Sequence, residues 1–146
     1  MRQIKDLLAV LDARYPLAHA EEWDKVGLQV GDGNARFDSV FVAYELTPAT
    51  LAASAGHDVI VTYHPVIFRP LGRLDFVEPT ARLVGSLLAA RQNLLCWHTA
   101  LDGAPAPLAL GDALAAQLGL RDVAVLSPCH QEKLVTMVTY VPPAYR

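Results

Sequence analysis

Cysteine is scarce in this chain. Cys96 and Cys129 are the whole complement, too few and too far apart for a disulfide framework or a close-spaced metal pair. Cys96 lies inside an apolar run and reads as a small buried side chain, so the expected compartment is the reducing cytoplasm. Basic excess is lacking as well. The formal net charge is −3, without the positive field that a dedicated DNA- or RNA-binding module uses. No apolar run approaches the length of a bilayer span, and Arg2, Lys5 and Asp6 interrupt any signal-peptide pattern at the start. Neither nucleic acid nor membrane is therefore an expected partner. No Gly-x-Ser-x-Gly occurs, and neither Ser54 nor Ser86 sits on a strand-to-helix elbow, which argues against a serine nucleophile. Cys96 and His98, as alternate residues, share a face, but nothing marks the thiol as activated. Gly27, Gly31 and Gly33 are followed by no Gly-Lys-Ser/Thr and lack the dinucleotide spacing, so Val26–Asn34 reads as a short strand closed by a turn.

What the chain has is apolar content. Of its 146 residues 53% are hydrophobic and only 18% charged, enough for one domain with a real core, or one domain and the beginning of another. Val59-Ile60-Val61-Thr62 is a β-branched run that ends in Tyr63-His64-Pro65, the pattern of an inner strand of a parallel sheet. Pro65 cannot donate to a ladder and holds His64 extended, so the strand stops there. Alternation puts Ile60, Thr62 and His64 on one face and Val59, Val61 and Tyr63 on the other.

The other elements follow from period and punctuation. Ile4, Leu7, Leu8 and Leu11 mark a first amphipathic helix that ends before Tyr15-Pro16. Val40–Tyr44 is a strand with Glu45 at its end, and Thr47-Pro48 caps a helix over 49–55 that Gly56 closes. Pro79 and Thr80 open a helix striped by Leu83, Val84, Leu87 and Leu88. Leu94–Trp97 is a buried strand ending at His98-Thr99, after which Ala100–Pro105 leaves the sheet. Leu110, Ala113, Leu114 and Leu118 form the next helix, with Gly119 as its C′ residue. Alternating strands and helices predict an α/β fold with a mostly parallel sheet covered by helices. The α/β domain spans 1–127; over 128–146, the alternating Lys133–Val141 reads as a terminal strand or the start of a second α+β module.

In such a sheet the strand carboxyl ends share one edge, where open α/β folds bind ligands. Glu45, His64, His98 and Asp102 then converge there. Their donor types suit a hydrolytic metal site, in which a divalent cation polarises a substrate oxygen and activates water. Plainer roles stand beside this one. A single histidine at a strand end is often a hydrogen-bonded structural residue, and Asp102 before Gly103 suits a turn. Glu45 suits solvent or the positive end of the following helix. Trp23 reads as a packing residue, and His19, His57 and His130 as exposed loop residues.

Three stretches carry a resemblance. Glu21-Glu22-Trp23-Asp24-Lys25-Val26-Gly27-Leu28-Gln29-Val30-Gly31, Thr62-Tyr63-His64-Pro65-Val66-Ile67-Phe68-Arg69-Pro70-Leu71 and His98-Thr99-Ala100-Leu101-Asp102 resemble, in order, the motifs of the Nif-three-like family, whose members are also described as GTP cyclohydrolase I type 2 homologues. The resemblance covers nearly the whole chain. It implies a dinuclear metal centre in an α/β fold assembled as a ring-shaped homohexamer. The ligands it implies are two adjacent histidines, an aspartate, and a His and a Glu from a carboxyl-terminal half. His64 matches the second of the adjacent histidines and Asp102 the aspartate, as bridging ligand; His98 matches a motif residue near the site. Tyr63 stands where the first histidine is expected, and a phenol with its ordinary pKa of ~10 is a poor ligand unless a metal deprotonates it. The carboxyl-terminal ligands have no counterpart before Arg146, an expectation that makes the chain a fragment or a short relative.

Two functions are expected from this. The first is a metal-dependent hydrolase of the GTP cyclohydrolase type, using zinc, iron or manganese, with up to two ions per chain in an intact homologue and an incomplete site in this chain. The alternative is a non-catalytic assembly or regulatory protein, with weak or no metal binding and a protein partner. A plain nucleotide-binding module has no phosphate loop to support it.

Overall fold

Each strand predicted within the described residues is realised as a four-residue segment. The computed structural model describes residues 2–126 and Met137. Its central sheet has the order β2–β6–β5–β4, where β2 is Gly27–Val30, β4 Val40–Ala43, β5 Val59–Thr62 and β6 Asn93–Cys96. The ladders of β4 with β5 and of β5 with β6 are parallel, with Val40 opposite Val59 and Val59 opposite Asn93. β2 runs antiparallel to β6, with Gly27 opposite Cys96. A small antiparallel ribbon that the pattern did not suggest, β1 (Arg2–Gln3) with β3 (Arg36–Phe37), ties the start of the chain to the turn after β2.

Alternation along β5 sorts the core into two layers. Val59 and Val61 pack with Leu95 and Trp97 under helix α1 (Ile4–Arg14), against Ile4, Leu7, Leu8 and Leu11. Ile60 packs on the other face with Leu94 of β6 and with Leu51, Val84 and Leu87 from helices α2 (Pro48–Ala53) and α3 (Pro79–Ala90). Ile4, Ile60, Leu87, Leu94 and Leu95 are wholly buried, each contributing about 1.5–3 kcal/mol of transfer free energy. The helix signals hold: Thr47 and Thr50 exchange capping hydrogen bonds before Pro48, and Gly56 and Gly119 take positive φ after α2 and α5 (Leu110–Gln117).

The turn after β2 is a turn and no phosphate loop. The Asp32 carboxylate accepts from Asn34 N at 2.8 Å, and Gly31, at φ +122°, lies so close to Asn93 that a Cβ would come within 2.0 Å of its Oδ1. One expectation is corrected. His98-Thr99, read as a strand end, and Ala100–Asp102, read as part of a segment leaving the sheet, form a short helix α4 (His98–Asp102), where Leu101 N donates to Trp97 O and Gly103 N to Thr99 O. His98 and Asp102 therefore stand one helical turn apart instead of along a loop. No helix among the described residues is long and apolar enough to cross a membrane. The expected strand Lys133–Val141 and the module over 128–146 lie outside the described residues.

Candidate functional site

Because β4, β5 and β6 are parallel, their carboxyl ends deliver Tyr44 and Glu45, Tyr63 and His64, and the start of α4 to one edge. β2 adds a contribution that the pattern hid. Running the other way, it brings its amino-terminal approach to the same edge, and with it Trp23 and Asp24. The ladder register also shifts between Leu28 and Val30, an irregularity centred on Gln29. The Gln29 side chain clamps the segment after His64: its Oε1 accepts from Val66 N (2.8 Å) and Ile67 N (3.1 Å), and its Nε2 donates to Lys25 O (2.8 Å) and Ile67 O (3.2 Å). His64 is fixed from the other side by its own amide, which donates to Tyr44 O, and by Thr62 Oγ1, which donates to His64 O.

The rings form a continuous cluster. Tyr44 stacks on Tyr63 with centroids 5.3 Å apart and planes 9° from parallel. His64 contacts Tyr44 at 4.5 Å, Tyr63 at 5.1 Å and His98 at 5.4 Å, and Tyr63 meets His98 edge-on at 5.0 Å. The two neighbours diverge as alternation predicts. Tyr63 lines an apolar cavity of about 560 Å³ with Leu7, Leu11 and Tyr15, whereas His64 lines a smaller one of about 170 Å³ with Glu45, Leu46 and Thr80.

The candidate residues fall into three groupings. Tyr63 donates its hydroxyl to the Asp102 carboxylate, 2.9 Å from Oδ2 and 3.1 Å from Oδ1; burial and then this acceptor push the phenol up to about 12. His64 Nδ1 lies 3.6 Å from Glu45 Oε2 with both side chains substantially exposed, a contact of little energetic weight. Asp24 makes the third grouping. Its covered side chain accepts from His98 Nδ1 at 3.1 Å to each oxygen, from Thr99 N at 3.0 Å, from Lys25 N at 2.7 Å, and from Thr99 Oγ1. Burial alone raises the pKa of this carboxyl, but the donors from Thr99, His98 and Lys25 together outweigh it and hold the group below its ordinary value.

Three plainer expectations are also corrected. Trp23 is no packing residue: it is 53% exposed and meets Phe68 and His98 edge-on at the rim of the cluster. His19 is part-buried with its Nδ1 2.9 Å from Gly103 O, and His57 lies edge-on to Phe41. Cys96 is buried as expected, and burial pushes its thiol up to about 11, which leaves it inert. Asp24 and Gln29 were missed as site residues. Both lie in the first of the resembling motifs, but only the direction and irregularity of β2 give them a place.

The donor types for a metal are present, but they are dispersed. Among the described residues no three His, Cys, Asp or Glu side chains gather closely enough to hold an ion. His64 and Asp102 supply an imidazole and a carboxylate at one edge, which fits a share of a single site. Tyr63, its hydroxyl committed to Asp102 and its phenol hard to ionise, does not fit a second ion.

Comparison with known proteins decides the lineage. Residues 2–142 match the model of the family Duf34/NIF3 (NGG1p interacting factor 3). The chain belongs to the NIF3 family. Among curated relatives, the GTP cyclohydrolase 1 type 2 homolog of Mycobacterium tuberculosis (strain H37Rv) is 35% identical over 141 residues, covering 96% of this chain and 37% of its own length. The protein of the same name from Staphylococcus aureus (strain Mu50) is 30% identical over 142 residues, covering 96% of this chain and 38% of its own length. NIF3-family relatives thus extend well beyond the part that this chain matches. A solved Bacillus cereus protein related to NIF3 superposes with a TM-score of 0.80 at 27% identity, over 87% of this chain and 35% of the other. Reduced HcgD from Methanocaldococcus jannaschii, at 24% identity and a TM-score of 0.79, shares the fold.

Proposed function

We propose that this NIF3-family chain contributes to a metal-dependent hydrolase of the kind its curated relatives are named for, GTP cyclohydrolase 1 type 2 homologues, with the carboxyl edge of the sheet as its active site. The observation that carries this reading is the ring cluster at that edge, which holds Tyr63, His64 and His98 within contact of one another and Asp102 against Tyr63. His64 and Asp102 would hold a divalent ion together with donors from outside the described residues; zinc, iron and manganese all suit an imidazole–carboxylate pair. Bound there, the ion would polarise a substrate oxygen and ease the ionisation of water. The chain's own residues do the positioning. Gln29 fixes the backbone behind His64, and Tyr63 orients the Asp102 carboxylate. Exposed Trp23 and Tyr44 offer faces on which a planar substrate ring can lie. Assembly into a homo-oligomeric ring belongs to the same proposal, and light scattering on the purified protein tests it.

One observation favours a second reading, a non-catalytic assembly or regulatory protein with weak or no metal binding. Tyr63 already engages the Asp102 carboxylate through its hydroxyl, and the described donors do not close on an ion. Metal analysis and calorimetry with zinc, iron(II) and manganese separate the two. Uptake that disappears in Asp102→Ala, with metal-dependent turnover of GTP, supports the hydrolase; a chain that takes up none of the three ions supports the second reading.

A further inference from the structure

The Asp24–His98 pair has a defined polarity, and neither the expected ligand set nor the family match gives it a role. An ionised carboxylate carries no proton to donate, so every close polar neighbour of Asp24 must be a donor. Thr99 N–H, Thr99 O–H and Lys25 N–H meet that condition and pin the carboxylate from several sides. The remaining neighbour is His98 Nδ1, 3.1 Å from each oxygen. The proton between them belongs to the imidazole. A neutral ring protonated on Nδ1 leaves Nε2 with its lone pair in the ring plane.

Nε2 lies across the ring from Asp24, in an imidazole that contacts the rings of Tyr63, His64 and Trp23. It has no hydrogen-bond partner among the described residues. Since no fully buried side-chain nitrogen or oxygen among them lacks a partner, Nε2 is not sealed from solvent, in a side chain that is 17% exposed. A fixed, unprotonated acceptor among the rings of this edge is the arrangement a general base needs.

We propose that Asp24 is a positioning residue that locks His98 in its Nδ1–H form, and that His98 Nε2 is the proton acceptor of this edge. The acceptor role rests on the hydrolytic reading above; the tautomer does not. In the step assigned to it, Nε2 takes a proton from water while the water oxygen forms its bond to the electrophilic carbon or phosphorus of the substrate. The electron pair of the bond that breaks departs with the leaving group, which recovers the proton from Nε2. While protonated, the imidazolium sits against the Asp24 carboxylate.

Long-range proton–nitrogen correlation spectra of the ¹⁵N-labelled protein, recorded where histidines are neutral, read the tautomer directly. The His98 signals are identified by their loss in His98→Gln. Expected in the unmodified chain is a protonated Nδ1 and an unprotonated Nε2. Asp24→Ala removes every acceptor facing Nδ1, and the proton is expected to move to Nε2, which alone then has solvent to settle the tautomer. A proton on Nε2 in the unmodified chain overturns the proposal, as does an unchanged pattern in folded Asp24→Ala. Should Asp24→Ala fail to fold, the unmodified chain alone decides the tautomer. One equivalent of zinc provides the second arm, with uptake followed by calorimetry in the same sample. An Nε2 resonance that moves to a metal-bound position makes His98 a ligand and overturns the acceptor role. An Nε2 resonance that stays unprotonated and metal-free while zinc binds elsewhere upholds it; no zinc uptake at all fails the hydrolytic reading and the acceptor role with it, and leaves the tautomer standing.

Discussion

Two aspartates reach the same sheet edge in opposite circumstances. Asp24 is covered by protein and accepts hydrogen bonds from three residues, two of them through backbone amides that cannot swing away. Asp102 is exposed at the end of the short helix α4, and Tyr63 supplies its hydrogen bonds through one hydroxyl. The same carboxylate is structural in one place and available in the other. A carboxylate saturated by fixed donors gives up its freedom to bind anything else, and in exchange orders the groups that surround it. One with a single side-chain partner keeps the lone pairs that a cation or substrate needs.

The largest effect expected from breaking this contrast is that of Asp24→Ala. Thr99 N–H, Thr99 O–H, Lys25 N–H and His98 Nδ1–H lose a charged acceptor together, and hydrogen bonds to charged groups contribute about 1.5–3 kcal/mol each before the partners relax to water. A loss of about 3 kcal/mol in urea unfolding is expected. The same site makes stability pH-dependent. Its folded pKa lies below the unfolded value of ~3.9, so its contribution is complete above that value and is lost as pH falls through the lower, folded one. Acid unfolding of the unmodified chain should contain this step, and Asp24→Asn should lack it.

Gly103→Ala comes next. A Cβ there would stand 2.6 Å from the backbone oxygen of His19, where the Gly103 carbonyl and His19 Nδ1 already approach to 2.9 Å. Neither atom is the free end of a flexible chain, so the turn after Asp102 must shift, at a cost of about 1–3 kcal/mol. Unfolding titrations measure the cost. Weaker Asp102-dependent cation uptake in the same variant would show that the availability of Asp102 depends on where α4 is seated.

Much of this edge was legible in the sequence, and for physical reasons. The β-branched run before Tyr63-His64-Pro65 marks β5, which ends at Thr62, alternation assigns Tyr63 and His64 to opposite faces, and parallel crossovers bring three strand ends together. What stayed hidden depended on the direction of one strand. Asp24 sits in a polar connection where a solvated carboxylate would look the same, and nothing in the period of Val26–Val30 says that β2 runs antiparallel. Gln29 was hidden for a related reason, since a register irregularity is set by the partner strand. The helical turn His98–Asp102 escaped because five residues are too few to show a period. The resembling motifs mark the same residues, but motif membership assigns them no contact; the fold does.

Tyr63→Phe sharpens the contrast without disturbing the packing. The ring keeps its stack on Tyr44 and its place in the apolar cavity, and only the hydroxyl that engages Asp102 is lost. The expected stability change is about 0.5–1.5 kcal/mol, that of an ordinary hydrogen bond. If the hydroxyl competes with a cation for Asp102, divalent-ion affinity rises several-fold by calorimetry. An unchanged affinity would place the limit on metal binding elsewhere than in the Tyr63–Asp102 pair.

The smallest effect on stability should come from Asp102→Ala, and that smallness tests the comparison itself. The carboxylate is exposed, so its removal strands no fixed backbone donor, and the Tyr63 hydroxyl is free to rotate towards water. Measured contributions of such exposed polar contacts are below about 1 kcal/mol. The helix α4 has its own anchors in Leu101 N to Trp97 O and in Ala100, which is wholly buried in the core layer under α1. Asp102→Ala should therefore unfold within about 1 kcal/mol of the unmodified chain while losing whatever divalent-ion affinity that chain has. A loss comparable to that of Asp24→Ala would mean that Asp102 orders its surroundings as Asp24 does. The edge would then hold two structural carboxylates and none available to bind.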